Sequence, residues 1–511
     1  MRMADRRVVI VGAGIGGLVS ALLLAQRGLA VTVVDAALEP GGKIRRVMVD
    51  GAPIDSGPTV FTMKWIFDGI LAAVGTRLEQ ELTVQPLPVL ARHFWEDGAQ
   101  LDLWADPQRS REAVAAFAGP AEAQRFADFC AQAREVYDTL EGPFIRSTSP
   151  TVGRMVGDLG LRGLSVLSRL GPMRSLWDAL ARHFRDPRLQ QLFGRYATYC
   201  GSSPWEAPAT LMLIAQVEMD GVWSVDGGMH ALARTFARLA QQRGVEFRWG
   251  TRCDRIDVTG GRACGVVLEG GERLAADRVV FNGDVAALAT GLLGEAARAA
   301  APAVGPRSLS ALTWSIHAPT EGLALDRHNV FFRRDYRSEF TDIFEAGRLP
   351  RQPTVYVCAQ DRGDTGPQPG ARRLLCLVNA PAVGGRGTLT PEALAECEHT
   401  SFSLLRQCGL TLQPQSHQVV RTTPDDFHRL FPATGGALYG QATHGWMSAF
   451  ARSPAASPVP GLFLAGGSVH PGPGVPMAAM SGQLAAAAVM GSLASIKGWR
   501  PVPTSGGMST H

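Results

Sequence analysis

Four positions carry the first chemical signal: Gly12, Gly14 and Gly17 in "VGAGIGG", and Asp35 at the end of "TVVD". The glycines form a G-x-G-x-x-G pattern. The first permits a tight turn, the second lets backbone approach a pyrophosphate, and the third lets a helix pack closely on a strand. Such a turn opens a helix whose free N–H groups and positive dipole end face the phosphates. Asp35 follows Gly17 by 18 residues, where a carboxylate accepts ribose hydroxyls. The chemistry indicated is dinucleotide binding.

The surrounding elements suit that task. In "RRVVIVGAGIGGLVSALLLAQRGLAVTVVDA", Val8 to Val11 predict a buried strand. Ile15, Leu18, Val19, Leu22 and Leu23 recur at helical spacing, Gln26-Arg27-Gly28 stop the helix, and Val31 to Val34 predict a second strand. Residues 8–25 are also the longest apolar run, but the glycines inside it favour this fold unit over a leader or a spanning helix. No other segment approaches the roughly 20 apolar residues a spanning helix needs. The expectation is a protein without an integral membrane segment.

Composition narrows the class. A chain of 511 residues predicts two or more domains, or one with a large insertion. With 46% hydrophobic and 19% charged residues it belongs among globular proteins. Basic and acidic residues nearly balance, 50 against 46, without the basic stripe of a nucleic-acid binder. The eight cysteines never come within 10 positions of one another, which excludes zinc spacing and a disulfide framework and indicates reduced cytosolic thiols. No paired carboxylates, nucleophile arrangement or metal-ligand set is visible.

Three further stretches extend the dinucleotide reading. Gly41-Gly42-Lys43 adds small backbone and a cation, and "DSGPT" (55–59) returns the chain in a tight turn. From 221 to 284, Met229, Leu232, Phe236 and Leu239 form an amphipathic helix after Gly227-Gly228, and short strands follow around Gly260-Gly261 and Gly270-Gly271. Finally, "LFLAGGSVHPGPGVPMAAMSGQLAA" (462–486) holds no charged residue and reads as strand, glycine turn, loop and small-residue helix, the helix running from Ser481 to Ala488. A core strand and helix would account for its ends but not for the HPGPGVP loop. Contact with a flat cofactor ring accounts for both.

Together these stretches resemble the flavin-dependent amine oxidase and phytoene desaturase superfamily. The resemblance implies FAD rather than NAD. It implies an α/β fold in which a Rossmann-type FAD-binding domain is assembled from three segments, 1–65, 221–290 and 455–497. A mixed α+β substrate domain would come from 66–220 and 291–454, and residues 498–511 have the composition of a disordered tail. By the same resemblance Gly12, Gly14, Gly16, Gly17, Asp35, Gly41, Gly42, Lys43, Gly57, Pro58 and Thr59 would contact the cofactor. Cys253 would lie against adenine or simply pack. Gly466 and Gly467 would approach the pyrophosphate and ribityl chain, with Val475, Pro476 and Met477 near the ring.

The C-terminal motif resembles the bacterial phytoene desaturase signature. "PATGGALYGQATHGWMSAFARSP" (432–454) resembles the subgroup acting on hydroxylated acyclic carotenoids, the 1-hydroxycarotenoid 3,4-desaturases. The other readings weighed are a different carotenoid desaturase or oxidase, an amine oxidase, and a flavin-binding protein without turnover. In desaturation a hydride leaves the allylic carbon and a proton leaves its neighbour, so the protein mainly aligns the substrate and excludes water. His444 and His470, in or beside the two motifs, are candidate proton acceptors against a loop-structuring role. Thr313, Ser315 and Tyr356, on strands read at 310–318 and 354–360, are candidates for holding a substrate hydroxyl.

The expected partners are an acyclic carotenoid, a membrane surface, and oxygen or a quinone as electron acceptor, with no nucleic acid and no metal. Residues 161–186 alternate leucines with Arg162, Arg169, Arg174, Arg182 and Arg185 around a break at Gly171-Pro172. This helical part is expected to face a bilayer. An ordinary core-facing helix pair is the alternative. The expected location is cytoplasmic, peripheral to the inner membrane of a pigment-forming bacterium.

Overall fold

The computed structural model describes residues 6–148, 152–171, 173–301, 305–362 and 370–494. Valine-rich runs stopped by glycine or polar residues form its first sheet. Strands β1 (Arg7–Val11), β2 (Ala30–Val34), β3 (Glu246–Arg248), β4 (Arg278–Phe281) and β5 (Leu462–Leu464) lie parallel in the order β5-β4-β1-β2-β3. Val8 sits in register with both Val31 and Arg278. The strands come from three distant stretches of chain, so the sheet closes only when the residues around 462 return to the N-terminal unit.

Parallel strands must be covered on both faces, which is why they read as unbroken apolar runs. One face carries α1 (Ile15–Gln26), with α2 (Met229–Gln241) and α3 (Val475–Ala494) packed on either side of it. Ile10, Leu18, Val19 and Leu22 are fully buried there, each contributing about 1.5–3 kcal/mol. The other face is covered by a three-stranded antiparallel meander (Cys253–Thr259, Arg262–Leu268, Arg273–Ala275), which packs Ile256 and Val266 on Val9 and Val34.

Helix α3 starts at Val475, not Ser481, so Val475, Pro476 and Met477 form its first turn and not a loop. It is the one helix among the described residues long and apolar enough to cross a membrane, and half of its most apolar stretch is buried. Its close approach to α1 depends on Gly482, where a side chain would strike the Gly16 carbonyl, and the Ser20 hydroxyl bonds to the Gly482 carbonyl at 3.0 Å.

A second sheet of seven strands runs in the order 419–422, 310–318, 372–380, 355–359, 328–332, 89–95, 100–104. Its pairings are antiparallel except that between 328–332 and 89–95. Strand alternation sends Leu312, Trp314 and Ile316 into a core with the helix Pro391–Gln407. Ser315 points the other way and meets the Ser56 hydroxyl at 2.5 Å.

Beyond this sheet lies a helical lobe centred on Phe126, Phe129, Phe184 and Phe193. The stretch expected at a bilayer belongs to it. Leu170, Leu176 and Leu180 are buried, Trp177 lies 4.4 Å from Trp205, and Arg169 pairs with Glu135 at 2.6 Å. Leu170, Leu176 and Leu180 thus face the core, as in the core-facing alternative, while Met173 is left exposed between the helices. The side chains of Leu161, Arg162, Leu164 and Leu167, residue Pro172 and the tail 498–511 lie outside the described residues.

Candidate active site

The turn after β1 is built from close backbone approaches. Gly12 has φ 100°, in the region that favours glycine, and its N–H donates to the Val34 carbonyl at 2.8 Å. A side chain at Gly17 would overlap the Gly12 carbonyl. At Gly16 it would sit 2.7 Å from Asn282 Oδ1 and 2.9 Å from both the Ala478 carbonyl and the Gly466 N–H; at Gly14 it would be 2.9 Å from Asn282 Nδ2. Gly41 and Gly42 fold over Gly14, with the Gly41 N–H donating to the Ala13 carbonyl at 2.9 Å. Six of the predicted glycines from the N-terminal unit and Gly466 from the far end therefore meet in one cradle. Gly467 faces more open space, its nearest neighbour being Pro473.

Asp35 closes one side of the cradle. Its two carboxylate oxygens accept from the N–H groups of Ala13 at 2.6 Å and Ala37 at 2.7 Å. Burial raises its pKa, and these two bonds oppose the rise. Each oxygen keeps a lone pair for a hydroxyl. The Thr251 N–H donates to the Asp35 carbonyl at 2.8 Å, which brings Cys253 into this neighbourhood. Its thiol is packed and inert, burial pushing it up to about 12.

The DSGPT turn is fixed from two sides. A side chain at Gly57 would strike the Lys43 carbonyl. The Asp55 carboxylate accepts from the N–H of Met229 at 2.5 Å and of His230 at 3.4 Å, filling the start of α2 where Gly228 offers no side chain. Pro58 follows, and the Thr59 hydroxyl lies 2.6 Å from that of Tyr356. The Lys43 ammonium donates to the Leu438 carbonyl at 2.6 Å, so it is directed at the loop around 438. Burial lowers its pKa, and Asp284 opposes that shift.

Two residues of this region were missed in the sequence. Asn282 donates through Nδ2 to the Gly12 carbonyl at 3.1 Å, while its Oδ1 is buried without a donor. Asp284 caps a short helix through Ala286 N–H at 3.0 Å, and its Oδ2 is likewise buried and unpartnered. The signal was "FNGD" at the end of an apolar strand, a polar residue and a glycine at the edge where ligands of parallel sheets bind. Asp284 also borders a small cavity with Arg307, Gln441, Arg452 and Ser468. Arg452 is buried and donates to the carbonyls of Tyr439, Gln441 and Gly467, fastening this loop to the glycine turn.

These features fit FAD. The cradle excludes side chains where a pyrophosphate needs backbone. Asn282 Oδ1 and Asp284 Oδ2 are acceptors without donors beside it, and ribityl and ribose carry hydroxyl donors. Among the described residues no cluster of His, Cys, Asp or Glu is arranged to hold a metal.

The two candidate histidines lie in different settings. His470 is buried, and a carbonyl can only accept, so its Nε2 donates to the Ser147 carbonyl at 2.9 Å and its Nδ1 is the bare lone pair, without a partner. Burial pushes its pKa down to about 4. Its ring stands edge-on to Phe144 at 5.2 Å. His444 sits at a rim, its Nε2 3.1 Å from the Glu206 carboxylate and its ring against Phe344. Of the hydroxyl candidates, Ser315 is engaged with Ser56, Thr313 is buried with an unpartnered hydroxyl, and Tyr356 stands between Thr59 and His328.

The model of flavin-containing amine oxidoreductases matches residues 15–490. Hydroxyneurosporene desaturase of Rubrivivax gelatinosus is 63% identical over 100% of this chain and 98% of that protein. The 1-hydroxycarotenoid 3,4-desaturase of a Flavobacterium is 28% identical over 94% of this chain and 97% of its own length. Among solved structures, wild-type putrescine oxidase bound to putrescine aligns over 95% of this chain and 99% of its own, with a TM-score of 0.61 at 15% identity, a likeness of fold. The chain therefore belongs to the flavin-containing amine oxidoreductases, in their carotenoid desaturase branch, and is an FAD-dependent oxidoreductase.

Proposed function

We propose that this protein introduces the C3–C4 double bond into 1-hydroxylated acyclic carotenoids such as 1-hydroxyneurosporene. The observation that carries the reading is the 63% identity to a hydroxyneurosporene desaturase along the whole chain. The 3,4 position follows the name of the more distant Flavobacterium relative.

FAD, when bound, supplies the hydride acceptor. The glycine cradle at Gly12, Gly14, Gly16, Gly17, Gly41, Gly42 and Gly466 would hold its pyrophosphate, Asp35 the adenosine ribose, and Asn282 and Asp284 the ribityl side. The second sheet and helical lobe hold the polyene and keep water from it. His470 is the better placed histidine for the departing proton, because its unpartnered Nδ1 is buried, whereas the Nε2 of His444, likewise without a hydrogen bond, already faces the Glu206 carboxylate at 3.1 Å. The electrons leave to oxygen or a membrane quinone. A carotenoid resides in the bilayer, so the enzyme works at the inner face of the membrane. The exposed Met173, Trp446 and Met447 support such contact.

The test is anaerobic turnover by FAD-loaded protein on liposomes carrying 1-hydroxyneurosporene. Flavin bleaching with loss of two hydrogens from the carotenoid, located at C3–C4 by mass spectrometry and NMR, is expected. Bleaching with the double bond formed elsewhere would move the protein to another desaturase of the branch.

A further inference from the structure

Behind the DSGPT turn lies an internal cavity whose polar lining the cofactor cradle does not explain. Val60, Leu90, Arg195, Glu218, His328 and Tyr356 border it. His328 is 3% exposed; its Nδ1 lies 2.7 Å from the Tyr356 hydroxyl, and its Nε2 is buried without a partner. The Arg195 guanidinium lies 5.1 Å from the centre of the Tyr356 ring, and its side chain makes no hydrogen bond to another of the described residues. Glu218 is already occupied, accepting from the hydroxyls of Tyr196 and Tyr199, both at 2.8 Å. Of these groups only His328 Nε2 is both buried and unpartnered; such a group costs roughly 1–3 kcal/mol and calls for an explanation in a folded protein.

We infer that this cavity receives the terminal hydroxyl of the hydroxylated carotenoid, with His328 and Arg195 as the residues that read it. The inference rests on the 1-hydroxycarotenoid reading given above. One hydroxyl matches both open groups: its oxygen accepts from Arg195 while its proton goes to His328 Nε2. Thr59, Tyr356 and His328 form a chain whose protons run in either direction, so Nε2 serves as acceptor or donor. Burial holds the imidazole neutral, its pKa pushed down to about 3, so a single cation faces the substrate.

Position supports the assignment. Carbons C1 and C4 are three bonds apart, about 4 Å at ordinary bond lengths of about 1.5 Å. A group that reads the C1 hydroxyl must therefore adjoin the flavin site. The cavity does so through the Thr59–Tyr356 bond of 2.6 Å, since Thr59 ends the DSGPT turn locked to Lys43 and α2. A site that must hydrogen-bond a hydroxyl discriminates strongly against the analogue lacking it.

The experiment compares kcat/KM for 1-hydroxyneurosporene and for neurosporene in FAD-loaded wild type, His328→Leu and Arg195→Gln on liposomes. Wild type should favour the hydroxylated substrate, and each substitution should lower the ratio of the two values about 30-fold, as expected for lost hydrogen bonds in a dry site. A ratio that survives in flavin-loaded variants overturns the inference while leaving the desaturase reading intact. A wild type without preference overturns the hydroxycarotenoid reading, and this inference with it. Should His328→Leu fail to fold, Arg195→Gln decides. Its dissociation constant for the hydroxylated product, followed by tryptophan quenching, should rise about tenfold, and an unchanged constant counts against the inference.

Discussion

The phosphate cradle and the cavity behind Tyr356 are made from opposite materials. The cradle consists of absences: at Gly14, Gly16 and Gly17 any side chain would meet backbone or Asn282 within 3 Å. The cavity consists of side chains: Arg195, Glu218, His328 and Tyr356 each bring a polar group to one space from a separate stretch of chain. A pyrophosphate is recognised by N–H groups that every residue carries, so room is what the protein must supply. A single hydroxyl in an apolar chain is recognised only by donors and acceptors set at the right points. The two regions should therefore fail differently when altered.

The largest effect is expected in the cradle. Gly17→Val drives three carbons into the Gly12 carbonyl and the Asn282 side chain, and neither neighbour can retreat, since Asn282 bonds Gly12 and Gly12 bonds β2. Purified protein should carry no flavin by visible absorbance, even after incubation with excess FAD. Pocket variants such as Arg195→Gln should keep their flavin and lose only discrimination. A Gly17→Val protein that still holds FAD would break the comparison, since the phosphates would then lie elsewhere.

Much of the cradle was legible because glycine spacing is local. Gly12 to Gly17, the strands around them and Asp35 lie within 30 residues, and the pattern has one physical use. Gly466 was legible too, since a charge-free "AGGSVHPGPG" has few other purposes. Asn282 escaped because one amide after a strand is ordinary until the turn it braces is seen. His328 and Arg195 escaped for a stronger reason. Their meaning depends on pairing between strands 328–332 and 355–359 and on the packing of a helical lobe, which no short window contains. The stretch 161–186 was ambiguous for the converse reason: amphipathic periodicity is the same whether an apolar face meets a bilayer or Phe184, and here Leu176 and Leu180 are buried while Met173 is exposed.

Asp55 lies between the two regions and tests whether they are coupled. Its carboxylate holds the first N–H groups of α2, and Gln360 clamps its backbone from the second sheet, with N–H and carbonyl bonds of 3.0 and 2.8 Å. Asp55→Ala should cost about 3 kcal/mol, combining loss of a helix cap with buried N–H groups left unmet. The check is the urea midpoint, with Asp55→Asn retaining one acceptor and losing less. Flavin release in parallel with the loss of stability would show that cradle and cavity depend on a common joint. Full flavin retention would make them independent.

The smallest effect concerns His470, beside the glycine turn but outside the cradle. Its pKa in the folded protein, about 4, is below the ordinary histidine value because burial disfavours the cation. The unfolded chain takes up this proton as pH falls below about 6.5, and the folded chain does not until about 4. The stabilising contribution is thus complete above 6.5 and lost as pH falls through that window, with a slope of about 1.4 kcal/mol per pH unit for one proton. His93 and His328, pushed down to about 4 and about 3 by burial, add the same sign. Stability of the wild type should fall steeply between these limits, and His470→Asn should reduce the slope by about one proton. Urea unfolding at closely spaced pH values measures it. An unchanged slope would mean that His470 already carries a proton in the folded protein, which would remove it as the acceptor of the substrate's proton and leave the loop-structuring role.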